Sequence, residues 1–168
     1  MPPHRPFPAL GATKRYRRSP HPATHFHGPH LVREPHVIRL RGPWEFTPLE
    51  RYDSPAALSP PGKLTMPCDW SASLGHDFRG RVCYLRRFGR PGFPEPYEQM
   101  WIVFNGVRSR ASVSLNGQPL GELQGDDPGN FEVTARLEFR NILEVIVEHP
   151  ANATEPGGLI GEVHLEIE

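Results

Sequence analysis

An all-β, antiparallel sandwich is the fold this sequence predicts, and three observations predict it. Twenty-one prolines and sixteen glycines in 168 residues are a load that helices carry badly. Short segments with apolar residues at every second position recur along the chain, and turn-forming residues separate them at intervals typical of stacked sheets. No window shows the 3.6-residue apolar period of an amphipathic helix.

In order, Val37, Ile38 and Leu40 suggest a first strand, and Gly42-Pro43 a turn. Trp44 and Phe46 alternate around Glu45, and residues 47–62 read as a Pro/Ser-rich loop. Lys63 to Met66 is a brief strand entering Pro67-Cys68-Asp69-Trp70, with residues 71–77 as loop. Val82, Tyr84 and Phe88 share one face of the next strand, with Cys83, Leu85 and Arg87 on the other. Trp101 to Phe104 is an unbroken apolar run, the pattern of a strand buried on both faces. Ala111, Val113 and Leu115 then alternate with polar residues up to Asn116-Gly117, the strongest short-range hairpin signal in the chain. On the return strand Pro119 has no N–H to donate, so an edge or a bulge is expected there. A turn at Asp126–Gly129, a short strand through Phe131 and Val133, and a turn at Arg140-Asn141 follow. Leu143, Val145 and Val147, then Val163, Leu165 and Ile167, complete the inward-facing set. Trp44, Tyr84, Trp101 and Phe104 are the expected aromatic core, with Arg86 and Arg87 as strand-face charges.

Charge and composition divide the chain at about residue 35. Residues 1–41 hold eight Lys/Arg against Glu34 alone, while residues 42–168 hold eleven basic and eighteen acidic groups. Residues 1–35 carry few aliphatics and are expected to be a disordered, basic, Pro/His-rich tail, with the sandwich over 36–168. His25-x-His27-x-x-His30 has ligand-type residues but no scaffold to preform a site, so no metal or other cofactor is expected. The basic run around Tyr16 matches no nucleic-acid-binding signature. No stretch approaches the ~20 apolar residues of a membrane span, and the first residues lack a signal peptide's apolar core, so a cytoplasmic protein is expected. Cys68 and Cys83 are expected to be reduced thiols, and the Asn152-Ala153-Thr154 sequon unmodified.

The order of motifs resembles the N-terminal sugar-binding domain of glycoside hydrolase family 2, the β-galactosidase, β-glucuronidase and β-mannosidase group. The likeness runs from about Leu40 to Ile167. Leu40–Phe46 is similar to the family's opening L-x-G-x-W-x-F, Met66–Trp70 to V-P-x-x-W, and Gly80–Phe88 to G-x-x-W-Y-R-R-x-F. Phe104–Gly121 resembles F-x-G-V-x-x-x-A-x-V-x-L-N-G-x-x-V-G. Phe131–Thr134 looks like F-x-x-D-I-T, Asn141–Val145 like N-x-L-x-V, and Gly158–Val163 stands at G-I-x-R-x-V. The resemblance implies a galactose-binding-like jelly roll. In the family the catalytic glutamates lie in a downstream TIM barrel of ~250 residues. No such barrel fits in 168 residues, so no catalytic residue is expected here.

A non-catalytic carbohydrate-recognition or accessory module is therefore the leading expectation. The rivals are the non-catalytic part of a split or remnant glycosidase whose barrel is a separate chain, and a protein-interaction sandwich without sugar binding. Carbohydrate and a separately encoded glycosidase domain are the expected partners. Trp70 beside Asp69 is the candidate grip, an aromatic ring for a sugar's apolar face with a carboxylate for its hydroxyls. Asn152 and Glu155 join it as candidates, because the loop Asn152–Gly158 lies where the family extends a loop toward its sugar site.

Overall fold

A computed structural model describes residues 34–92, 95, 96 and 98–168. The expected tail, with its histidine cluster, lies outside the described residues apart from Glu34 and Pro35. The strands are β1 His36–Arg39, β2 Trp44–Arg51, β3 Gly62–Leu64, β4 Cys68–Asp69, β5 Gly80–Gly89 and β6 Met100–Phe104. They continue with β7 Arg110–Leu115, β8 Gln118–Gln124, β9 Gly129–Glu132, β10 Arg140–His149, β11 Gly158–Leu159 and β12 Val163–Ile167. A one-turn helix, α1 Ser71–Leu74, and a 3₁₀ turn at Thr134–Arg136 are the helical pieces among the described residues.

Two sheets carry the fold. One has the order β1-β12-β6-β9 and the other β3-β2-β5-β10-β7-β8, while β11 and β4 form a separate two-stranded patch. All pairings are antiparallel, and both large sheets contribute to one buried cluster, so the architecture is the β-sandwich that the alternating pattern predicts. The longer sheet turns Trp44, Phe46, Val82, Tyr84, Val113, Leu143, Val145 and Val147 inward, and the shorter one supplies Met100, Ile102, Phe104, Val163 and Leu165.

At its centre, β5 and β10 pair over ten residues each without a register break, from Arg140 opposite Gly89 to His149 opposite Gly80. At about 3.3 Å per residue, this ladder separates the loops at its two ends by about 30 Å.

Several expectations need correction. Strand β2 runs through Pro48 and on to Arg51, into the stretch read as loop, with a register shift between Pro48 and Glu50. Residues 71–74 form a helical turn rather than loop. The run Trp101–Phe104 is buried on one face only: Met100, Ile102 and Phe104 point inward, whereas Trp101 and Val103 are half-buried on the other side. Trp101 thus stands apart from Trp44, Tyr84 and Phe104, which are core as expected. Pro119 lies on the edge strand β8, next to the extra residue Leu120 where the register against β7 shifts between Val113 and Ser114, so edge and bulge coincide.

The hairpin between β7 and β8 has Asn116 at φ +53° and Gly117 at φ +77°, the two positive values of a type I′ turn. Nothing lies within 4 Å of a β-carbon built on Gly117, so its requirement is purely conformational. Gly161 is the contrasting case, where an added β-carbon would run into the backbone of Asn105 and Gly106. Gly117→Val is expected to lower stability by about 1–3 kcal/mol through backbone strain alone. Chemical denaturation would show it, and an unchanged midpoint would contradict the turn assignment.

Candidate functional site

At the Gly80–His149 end of the central ladder, the loops after β4 and β10 meet around Trp70. The Trp70 side chain is 0% exposed. Its indole N–H donates to the Tyr84 hydroxyl at 2.6 Å, inside the core. Phe78 and His149 meet it edge-on, at ring separations of 5.1 and 5.6 Å. The backbone at Gly157 lies so close that an added β-carbon would fall 2.7 Å from the indole. The Trp70 backbone N–H donates to the Gly157 carbonyl at 2.9 Å. This placement corrects the expected sugar platform, since no face of the ring is open to a ligand. The indole is the peg on which the Asn152–Gly158 loop is hung.

The other polar groups at this end are also committed internally. Arg79, 6% exposed, donates through Nε to the carbonyl of Ala153 (2.9 Å) and through Nη2 to that of Thr154 (3.1 Å). Its Nη1 donates to the carbonyls of His76 and Phe78, so one guanidinium ties the two loops together. Asp53 accepts the Arg79 backbone N–H and pairs with Arg51, whose hydrogen bonds hold the Asp53 carboxyl below its usual range. Arg51 in turn sits over the Phe78 ring at 5.5 Å.

The ring of His149 is buried, with Nε2 2.7 Å from the Glu155 carbonyl and Nδ1 2.6 Å from the Ser109 hydroxyl. A carbonyl can only accept, so Nε2 carries the hydrogen and Nδ1 accepts from Ser109. Burial pushes the His149 pKa down.

Of the four candidate residues, Asp69, Asn152 and Glu155 are exposed at this end and Trp70 lies beneath them. Asp69 accepts the Ser71 backbone N–H at 2.8 Å, and Glu155 lies 3.3 Å from Arg108. No group of three or more His, Cys, Asp or Glu among the described residues is placed to hold a metal. Cys68 and Cys83 are free thiols; burial, with the Glu144 carboxylate beside it, pushes the Cys83 pKa up to about 11.

The opposite end of the ladder carries an open cleft of about 790 Å³. Its walls are the end of β5 (Arg87, Phe88, Gly89, Arg90), the hairpin residue Asn116, and residues 138–142 leading into β10. Phe139 stands at its rim with 83% of its surface exposed, beside Ile142 at 43%. The backbone beneath Phe139 is nonetheless fixed. Asn141, 1% exposed, accepts the Glu138 N–H at 2.9 Å and donates to the Glu138 carbonyl at 2.8 Å. The Arg90 N–H donates to the Phe139 carbonyl at 3.1 Å. Asn116 closes the frame, donating to the Asn141 amide oxygen and accepting the Ile142 N–H.

No protein-family profile matches this chain, and no curated protein is detectably similar to it in sequence. Solved structures are similar. The β-glucuronidase of Bacteroides uniformis aligns with 80% of this chain and 18% of its own, at a TM-score of 0.64 and 24% identity. The Bifidobacterium dentium β-glucuronidase aligns with 79% of this chain and 30% of its own, at 0.62 and 23%. A β-glucuronidase from glycoside hydrolase family 2 aligns with 80% and 18%, at 0.61 and 22%. The fold is that of a β-sandwich domain of the family 2 glycosidases. Within that likeness, the chain spans less than a third of each of these three enzymes.

Sequence reasoning missed the cleft. It read Arg140-Asn141 as a turn and made nothing of Phe139. Phe139 follows Leu137 at a spacing of two, so it reads as the continuation of an alternating apolar run and the local pattern carries no sign of its exposure.

Trp70→Ala is expected to cost about 3–5 kcal/mol, because it empties a buried site and strands the Tyr84 hydroxyl. A loss under about 1 kcal/mol by denaturation would return Trp70 to the surface.

A second expectation concerns pH. With its folded pKa depressed below about 6.5, His149 leaves the unfolded chain the better proton binder. Its share of stability is complete above that value and declines as pH falls toward the folded pKa. Denaturation between pH 7 and 5 should show a steeper loss in the native chain than in His149→Gln. Equal slopes would contradict it.

Proposed function

We propose that this chain is a non-catalytic carbohydrate-recognition module of the jelly-roll type found in family 2 glycosidases, and that it binds through the cleft at the Gly89–Arg140 end. The observation that carries this reading is the exposed phenyl ring of Phe139 on a frame fixed by Asn116 and Asn141. Leaving such a ring in water forgoes about 1.5–3 kcal/mol of burial. Presented over an open, ligand-sized cleft, it offers an apolar face for the C–H side of a pyranose. The fixed backbone reduces the ordering cost of binding.

The likeness to a small part of much longer β-glucuronidases favours one further setting, in which the chain partners a separately encoded glycosidase barrel.

The full chain is expected to be retained by part of a glycan array, and Phe139→Ala to lose that retention without a change in melting temperature. Aryl β-glucuronides and β-galactosides should show no turnover above buffer. Retention by no glycan would overturn the recognition reading in favour of a protein-interaction sandwich, and turnover by the purified chain would overturn the non-catalytic one.

A further inference from the structure

We infer that the saccharide this cleft takes is anionic, a carboxylated or sulfated sugar; this rests on the carbohydrate reading above and adds the charge of the ligand to it. The cleft walls hold Arg87, Arg90 and Arg140 against Glu138. Arg90 has an interaction of its own within the chain, and the three arginines sit on a body whose residues 42–168 carry eleven basic and eighteen acidic groups. A net-acidic surface repels an anionic chain except where arginines cluster, so the cleft is where one would be held.

Arg87 donates to Glu45 at 2.6 Å and is partly committed there. Arg140 is exposed and has no side-chain hydrogen bond or ion pair among the described residues. Its guanidinium presents paired N–H donors, a geometry that matches a carboxylate or sulfate more closely than a single hydroxyl. Arg140 also directly follows Phe139. Both residues line the same cleft, so a sugar held there on the phenyl face would have the Arg140 guanidinium available to its charged substituent. An aromatic face and an adjacent cation with no partner among the described residues form a two-point grip, one part indifferent to ligand charge and the other dependent on it.

The test measures binding of the full chain to three probes by calorimetry: tetragalacturonate, a sulfated carrageenan tetrasaccharide and neutral cellotetraose. At least one anionic probe should bind roughly tenfold or more tightly than cellotetraose, with an affinity that falls as salt is raised. Arg140→Gln should remove that roughly tenfold preference, the size of effect a lost charge-assisted hydrogen bond predicts, and leave cellotetraose binding within about twofold. Phe139→Ala should weaken all three, and Asp69→Asn, at the other end of the sandwich, none. Carboxylate and sulfate sources are separated by which anionic probe binds.

Cellotetraose bound as tightly as both anions would overturn the anionic assignment and leave the carbohydrate reading standing. Anion binding unchanged by Arg140→Gln and Phe139→Ala would mark diffuse charge attraction and overturn it too. Loss of binding in Asp69→Asn alone would move the site to the loop end. Binding of none of the three would overturn the assignment, with the glycan array then deciding the broader reading.

Discussion

The unbroken pairing of β5 with β10 is the constraint on which the rest of the structure depends. Ten residues of each strand face one another in register, so a one-residue slip of β10 would turn Leu143, Val145 and Val147 out of the core together. Because the pairing is this long, it also holds two loop systems apart. His149 opposite Gly80 delivers the Trp70 cluster at one end, and Arg140 opposite Gly89 delivers the cleft at the other. Each end is therefore built on a strand terminus that the central ladder holds in place.

The two ends use their polar groups in opposite ways. Around Trp70, a buried guanidinium, a buried imidazole and an indole N–H all find partners in the chain itself, mostly backbone carbonyls. Buried donors carry a desolvation cost of about 1–3 kcal/mol each when unpaired, so this inward use of them is what lets the Asn152–Gly158 loop lie flat on the sheet. It leaves little for a ligand. At the cleft, the amides of Asn116 and Asn141 hold the backbone, while the Phe139 side chain is exposed and that of Arg140 has no hydrogen bond or ion pair among the described residues. Side chains that the fold does not need, mounted on backbone that it holds firmly, are the arrangement a binding site requires.

Most of the sandwich was legible in the sequence because period-two alternation is a direct record of burial. Val113 and Leu115, or Val145 and Val147, could face only one way. Asn116-Gly117 was legible for a different reason, since few other dipeptides accept two positive φ values. The misreadings came where that record is weak. Pro48 and the residues around it interrupt the pattern in β2, and a bulge there shifts the register. Trp101 and Val103 look like core in an apolar run, yet strand geometry sends them to the face opposite Ile102. Trp70 misled because its neighbours in sequence are polar, whereas its neighbours in space are Tyr84, Phe78 and His149. Long-range contacts of that kind leave no local period to read.

That difference also explains why the two candidate sites changed places. A tryptophan beside an aspartate is a familiar sugar-binding pair, but the large, amphipathic indole is equally suited to closing a core when one buried hydroxyl can accept its N–H, and Tyr84 supplies that hydroxyl. Phenylalanine has no polar atom to satisfy, so its burial needs no partner and its exposure has no polar compensation. An 83% exposed Phe139 is for that reason more informative than Trp70. The fold places it next to an arginine with no partner of its own among the described residues, at the rim of an open cleft. Recognition, on this view, belongs to the end of the ladder where the chain leaves both an apolar face and a charge unspent.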